Sequence, residues 1–282
     1  LVRLPNIFTS ISDILAGCIL ATHAFIDIHK ILLLVIISAC LYGGAIVFND
    51  IFDITTDETE RPDRPLPSGN ISKRDALYLG VVLFLTALLC ACLVNATSVC
   101  ISIVIIALVI SYNVWTKTVP AIGTLNMGLC RFFNLMLGLS IIPASISTYW
   151  MFPLILMIYV MLITALSKQE VKGEQRWKIV FVITCFIGLV FFTGSLSVKG
   201  ILPNHAMHGL LFIFTLIVLW PMGRAVINPC SGNIQSTIKT MVLSIIILDA
   251  CFVMGATNGL HALVVLALLV PAYIISRFLY VT

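Results

Sequence analysis

Apolar residues recur along this chain in long, nearly unbroken runs, not in the short alternations of a water-soluble fold. Ten runs approach the roughly 20 residues that an α-helix needs to cross a bilayer. They cover residues 7–25, 31–50, 75–95, 97–115, 120–142, 149–168, 177–198, 206–227, 237–257 and 260–280. The pattern predicts an all-α, polytopic membrane helical bundle with nine or ten transmembrane helices, folded as a single domain over 1–282. The lower count applies if Asn258-Gly259 makes a re-entrant break near the end. The intervening loops are too short to be domain linkers.

Composition sharpens this reading. Apolar residues make up 60% of the chain and charged ones 10%, against about 45–50% and 25% in soluble domains. The net charge of +4 is spread over many loops and gives no basic face for nucleic acid. Placing the first terminus in the cytoplasm puts thirteen Lys and Arg residues inside and only Lys30 and Lys199 outside, with Arg131 within a span. That asymmetry follows the positive-inside rule, and the expected location is the plasma (inner) membrane. The nine cysteines are scattered, mostly within apolar runs, which suits small buried hydrophobes better than disulfides or metal ligands. A cleavable signal peptide is not expected, because the first run carries Asp13 and lacks a small-residue cleavage pattern.

The remaining polar residues converge on the inside face. Half of the chain's 12 acidic residues lie between Asp50 and Asp63. If the second helix runs on, Asn49, Asp53 and Asp57 are each turned about 40° from the last and form one polar edge, with Asp50 beside it. Mg²⁺ takes oxygen ligands of this kind and shares them with substrate phosphates. Before this edge, Gly43-Gly44-Ala45 lets neighbouring helices approach closely. After it, a proline-stiffened loop carries Arg61 and Arg64, whose guanidinium groups suit diphosphate oxygens.

Three further elements face the same side. Tyr112-Asn113-Val114-Trp115-Thr116-Lys117 ends the fourth run and reads either as interfacial anchoring or as phosphate binding. Arg131 lies inside the fifth run with Asn126 and Asn134 at helical intervals; a buried arginine faces a partner or a cavity. Between the sixth and seventh runs, Ser167, Glu170 and Glu174 share a helical face next to Lys168. Asp13 and Asp249 are solitary acids within spans, either lining a cavity or hydrogen-bonded in the packing. His205, His208 and His261 fall near the outer ends and receive no role.

Asn49-Asp50-x-x-Asp53-x-x-x-Asp57 followed by Arg64-Pro65-x-Pro67-Ser68-Gly69 resembles the first aspartate-rich motif of the UbiA superfamily of intramembrane prenyltransferases. Tyr112 through Lys117 and the position of the second acidic motif are similar to that family as well. The resemblance runs from about Arg3 to Lys178; beyond it only hydropathy is shared. It implies helices around a lipid-open cavity, with two acidic motifs holding Mg²⁺ ions that bind an isoprenyl diphosphate. Asn49, Asp50, Asp53, Asp57, Glu170 and Glu174 are then metal and diphosphate ligands. Asp53, Asp57 and Lys117 carry the catalysis, and Arg64, Tyr112, Asn113, Arg131 and Lys168 bind substrate. The second motif departs from the family pattern: Ser167-x-x-Glu170-x-x-Gly173-Glu174 stands where aspartates are usual, a wording that resembles the EboC-like branch.

The function this implies is Mg²⁺-dependent transfer of a prenyl group to an electron-rich, aromatic or lipid-soluble acceptor inside the membrane. The alternative is a protein that binds or transports a prenyl lipid without transfer, and the altered second motif is the feature favouring it.

Overall fold

The computed structural model describes residues 4–24, 27–170, 176–198 and 201–278, and among them every regular element is helical. In chain order these are α1 (Leu4–Thr22), α2 (Ile28–Phe52), α3 (Ile54–Glu60), α4 (Lys73–Val94), α5 (Ala96–Val114) and a 3-10 turn (Thr116–Thr118). Then come α6 (Pro120–Leu139), α7 (Ser145–Tyr149), α8 (Met151–Glu170), α9 (Arg176–Val198) and α10 (Met207–Ile227). The chain closes with α11 (Ser231–Leu243), α12 (Ile245–Ala256), α13 (Gly259–Ala267) and α14 (Leu269–Phe278).

Eight helical stretches among the described residues are long and apolar enough to cross a membrane: α2, α4, α5, α6, α9, α10 and the pairs α11–α12 and α13–α14. The shorter apolar stretches Asn6–Thr22 and Met151–Ser167 lie in α1 and α8. Each of the ten apolar runs thus falls on helix. The last two runs are broken, at Ser244 and at Leu268. Asn258 starts a new helix by accepting the His261 N–H at 3.2 Å, so the expected break there is a capped helix start.

Side chains that prefer non-helical backbone set the boundaries. Ser72 accepts the Asp75 N–H at 3.1 Å and opens α4, and Asn95 accepts the Ser98 N–H at 2.9 Å and opens α5. Each such cap contributes about 1 kcal/mol.

Small residues decide which helices touch. A Cβ on Gly17 would lie 2.6 Å from the Leu135 carbonyl oxygen, and one on Gly138 would lie 2.6 Å from that of Ile14. The backbones of α1 and α6 are therefore in direct contact, as small residues permit in membranes. Gly44 on α2 plays the expected part, since a Cβ there would strike the Phe84 ring of α4. Phe84 in turn stacks on Phe48, with ring centroids 5.1 Å apart.

Two large apolar cores dominate. One joins α1, α2, α4, α5 and α6; the other is built mainly from α8 to α12. A cavity of about 570 Å³ lies where they meet, lined from α1, α2, α3, α5, α6, α8, α11 and α12.

Candidate functional site

The cavity's charged end is built at the joint between α2 and α3. Helix α2 ends at Phe52, and Asp53 takes φ −92°, ψ 2°, a conformation between helix and strand. The hydrogen-bond ladder nevertheless continues: Asp53 N–H donates to Asn49 O (3.0 Å), Asp57 N–H to Asp53 O (2.8 Å) and Arg61 N–H to Asp57 O (2.8 Å). The expected polar edge therefore survives a bend. Asn49, Asp53 and Asp57 all line the cavity, with Thr56, Glu60, Arg61 and Arg64 around them.

Cations neutralise this edge. Asn49 Nδ2 donates to Asp53 Oδ2 at 2.9 Å, and Lys117 Nζ donates to Asp53 Oδ1. Arg64 Nη1 donates to Asp57 Oδ2 at 2.6 Å and lies 3.7 Å from Asp50 Oδ1. Asp57 and Asp50 are both buried. Asp50, one residue and about 100° around the helix from Asn49, does not line the cavity, and Arg64 links it to the edge.

Local folding explains how Arg64 returns to α2. Ser68 N–H donates to Arg64 O (2.9 Å), Gly69 N–H to Leu66 O (3.1 Å) and Ile71 N–H to Pro65 O (3.1 Å), which closes the loop on itself. Gly69 sits at φ +76°, a left-handed conformation that suits glycine. Leu66 is the anchor, buried among Val47, Ile51 and Ala76. Lys117 is held by the 3-10 turn, which Asn126 Nδ2 ties to α6 through Thr116 Oγ1 (3.2 Å) and Ser111 Oγ (3.0 Å). Asn126 therefore serves the Lys117 turn and not Arg131. Five residues apart on a helix, the two face about 140° from one another.

Of the second acidic motif's residues, Ser167 is the one whose side chain is described. Ser167 Oγ donates to Thr164 O at 2.9 Å, back into its own helix. Lys168 and Glu170 stand in the last turn of α8, and Glu174 lies outside the described residues, as do the side chains of the other two. Among the described residues no three His, Cys, Asp or Glu side chains form a cage around a metal ion. Magnesium does not need one, because it is held by one or two carboxylates together with waters and substrate phosphates. The oxygen-only set Asn49, Asp53 and Asp57 on the cavity wall fits that demand.

The opposite end of the cavity is polar without being open. Arg131 Nη1 donates to Asp13 Oδ2 (3.0 Å) and Nη2 to Thr9 Oγ1 (2.7 Å). Asn134 Nδ2 donates to Asp13 Oδ2 (2.8 Å) and to Ser10 O (2.9 Å), while Ser38 Oγ donates to its Oδ1 (2.7 Å). Ser12 Oγ donates to Asp249 Oδ2 (2.5 Å), and the Asp249 carboxyl adjoins that of Asp13. Both acids are fully buried. The two solitary acids of the sequence thus meet behind Arg131. Tyr112 and Asn113 line the wall between the two ends. Asn113 Nδ2 donates to Val109 O (2.9 Å), which fixes the amide; its Oδ1 is buried without a partner among the described residues.

These features define an integral, multi-pass membrane protein whose cavity carries charge at one end and apolar walls beyond it. The chain belongs to the UbiA prenyltransferase family, which matches residues 11–176. A digeranylgeranylglyceryl phosphate synthase of Sulfurisphaera tokodaii is 29% identical over 180 residues, 63% of each chain. One from Saccharolobus solfataricus is 25% identical over 177 residues, 63% of this chain and 62% of that one. The chain thus spans a little under two thirds of the length of these relatives. Among solved structures, a UbiA homolog from Aeropyrum pernix K1 superposes with a TM-score of 0.68 at 17% identity, covering 89% of this chain and 98% of that one. A structure concerned with digeranylgeranylglyceryl phosphate synthase in membranes gives 0.66 at 20% identity, covering 90% and 94%. These two share the fold.

Proposed function

We propose that the protein transfers a prenyl group from an isoprenyl diphosphate to a lipophilic acceptor within the membrane. The observation that carries this is the pairing of Asp53 with Lys117 and of Asp57 with Arg64 at one end of a cavity of about 570 Å³. Similarity to proteins named digeranylgeranylglyceryl phosphate synthase supports the prenyl donor.

Asn49, Asp53 and Asp57 on the cavity wall would hold Mg²⁺, which would supply Lewis-acid chemistry to the diphosphate. Lys117 and Arg64, here paired with Asp53 and Asp57, would stabilise the charge that develops as the C–O bond breaks. Such preorganised stabilisation of a leaving group is commonly the largest contribution to catalysis. Apolar residues Leu41, Ile105, Val109, Val160 and Ile163 wall the cavity and exclude water that would trap an allylic cation. The acidic end faces the cytoplasm in this reading.

Asp53→Asn is expected to lower Mg²⁺-dependent transfer of label from a radiolabelled prenyl diphosphate by at least 100-fold, roughly the loss seen on removing one charge-stabilising group. Its melting temperature in detergent should stay near that of the parent. Full activity in the variant would refute the proposal. A carrier without transfer is the second reading, favoured by Ser167, whose hydroxyl is turned into its own helix where family members place a carboxylate. It predicts saturable Mg²⁺-dependent donor binding with no covalent product.

A further inference from the structure

Of the cavity's two polar ends, only the acidic one is accounted for by a prenyl donor. The inner end is made by Arg131 and Tyr42, which line the cavity, backed by Asp13, Asn134 and Asp249. A purely structural role accounts for part of it. Asp13 lies one turn from Gly17, and Asn134 one turn from Gly138, so the cluster pins the crossing where α1 and α6 touch.

The pinning leaves donors over. A guanidinium carries five N–H groups, and the bonds to Asp13 and Thr9 use one on each Nη. The Nε–H and the second N–H on each Nη have no partner among the described residues. The guanidinium lies over the Tyr42 ring, 5.5 Å from its centroid, and the Tyr42 hydroxyl likewise has no hydrogen-bond partner among the described residues. Asn134 is saturated: its amide donates to Ser10 and Asp13 and accepts from Ser38. Arg131 and Tyr42 therefore face the cavity with hydrogen-bond donors to offer. These donors open on the cavity, where a ligand oxygen can meet them.

Charge selects which oxygen. Arg131 is already compensated by Asp13 at 3.0 Å, and the Asp249 carboxyl stands behind them. The cluster has no positive charge to spare. A phosphate or carboxylate placed here would add an uncompensated anion to a low-dielectric interior, which is unfavourable. An uncharged oxygen meets the same donors without that penalty. Tyr42 and Asn49 are seven residues apart on α2, about 10 Å along the axis. That leaves room for a diphosphate at one end and a small head group at the other, with the reacting carbons between.

We infer that Arg131 and Tyr42 form the acceptor subsite and that it selects an uncharged, oxygen-bearing head group, a phenol, hydroxyl or quinone-type carbonyl, over a phosphate or carboxylate. This rests on the donor site proposed above, but it is read without the donor. The test uses the full chain in nanodiscs and three probes with the same tail: para-hexylphenol, para-hexylbenzoate and hexyl phosphate. Calorimetry should show the phenol binding at least 10-fold more tightly than either anion. Tyr42→Phe, which keeps the packing, should weaken the phenol several-fold. Arg131→Gln combined with Asp13→Asn, which removes both charges together, should weaken it about 10-fold or more. Prenyl diphosphate binding, measured alongside, should be unchanged in both variants. Tighter binding of either anion, or phenol binding untouched by both variants, overturns the inference. Donor binding with no phenol binding overturns the subsite and leaves the donor site standing; phenol binding that depends on Arg131 without donor binding does the reverse.

Discussion

Arg131 and Asp13 show what a single ion pair does inside a membrane bundle. Each is expensive alone in a low-dielectric interior, and together they hold α1 against α6. Arg131→Gln alone leaves Asp13 without its counter-ion and should destabilise the protein by about 3–5 kcal/mol. Adding Asp13→Asn should recover most of that loss. Thermal melts of the two single variants and the double variant in detergent check this, and simple additivity would show the pair to be uncoupled. The sequence announces that Arg131 needs a partner, since an arginine within an apolar run is otherwise unaccountable. It does not name the partner, because Asp13 is 118 residues away and no local rhythm links them. The pairing of Asp13 with Asp249 is hidden for the same reason. Asn126 misleads more directly: it sits near Arg131 in sequence yet faces the Lys117 turn, where Ser111 and Thr116 receive its amide.

At the scale of elements, the acidic edge was readable because it depends on one helix's own periodicity. Asn49, Asp53 and Asp57 keep their succession through the joint at Asp53 since the i to i+4 hydrogen bonds continue across it. The cations that meet the edge come from elsewhere, Lys117 from the 3-10 turn after α5 and Arg64 from a loop that doubles back. That return depends on Leu66 as an anchor and on Gly69 as a left-handed turn residue. Leu66→Ser is expected to release the loop and raise the KM for prenyl diphosphate about 10-fold or more while leaving most of the melting temperature intact. Gly69→Ala should act in the same direction and more weakly, because a left-handed alanine costs roughly 1–2 kcal/mol. Steady-state kinetics on the two variants tests the idea, and an unchanged KM in Leu66→Ser would remove the loop from the donor site.

For the whole molecule, hydropathy was enough to find every long helix that the cavity uses, though not the short polar α3, because a lipid-spanning segment must satisfy its own backbone hydrogen bonds and so declares its length. The breaks at Ser244 and Leu268 escaped because both flanking stretches remain apolar. Orientation follows from the distribution of Lys and Arg and has its own test. Cys230 is exposed between α10 and α11, on the side assigned to the cytoplasm. In a variant retaining Cys230 as the sole cysteine, a membrane-impermeant maleimide should react in inverted vesicles and not in intact cells. His205→Cys, in the same background without Cys230, should show the opposite pattern. Reversed labelling would place the acidic end outside.

The crossing of α1 and α6 bears on how a long hydrocarbon reaches its place. Gly17 and Gly138 bring two main chains together without intervening side chains, so that seam has no rotamer to yield when the bundle breathes. A guest that threads inward must part the opposite boundary, where α2 and α5 face α8 and the broken α11–α12 pair across the void. The expected behaviour is that of a hinged shell with the Gly17–Gly138 seam as its rigid spine. Cross-linking the spine should leave traffic undisturbed, whereas a staple between α5 and α8 should trap whatever is already inside.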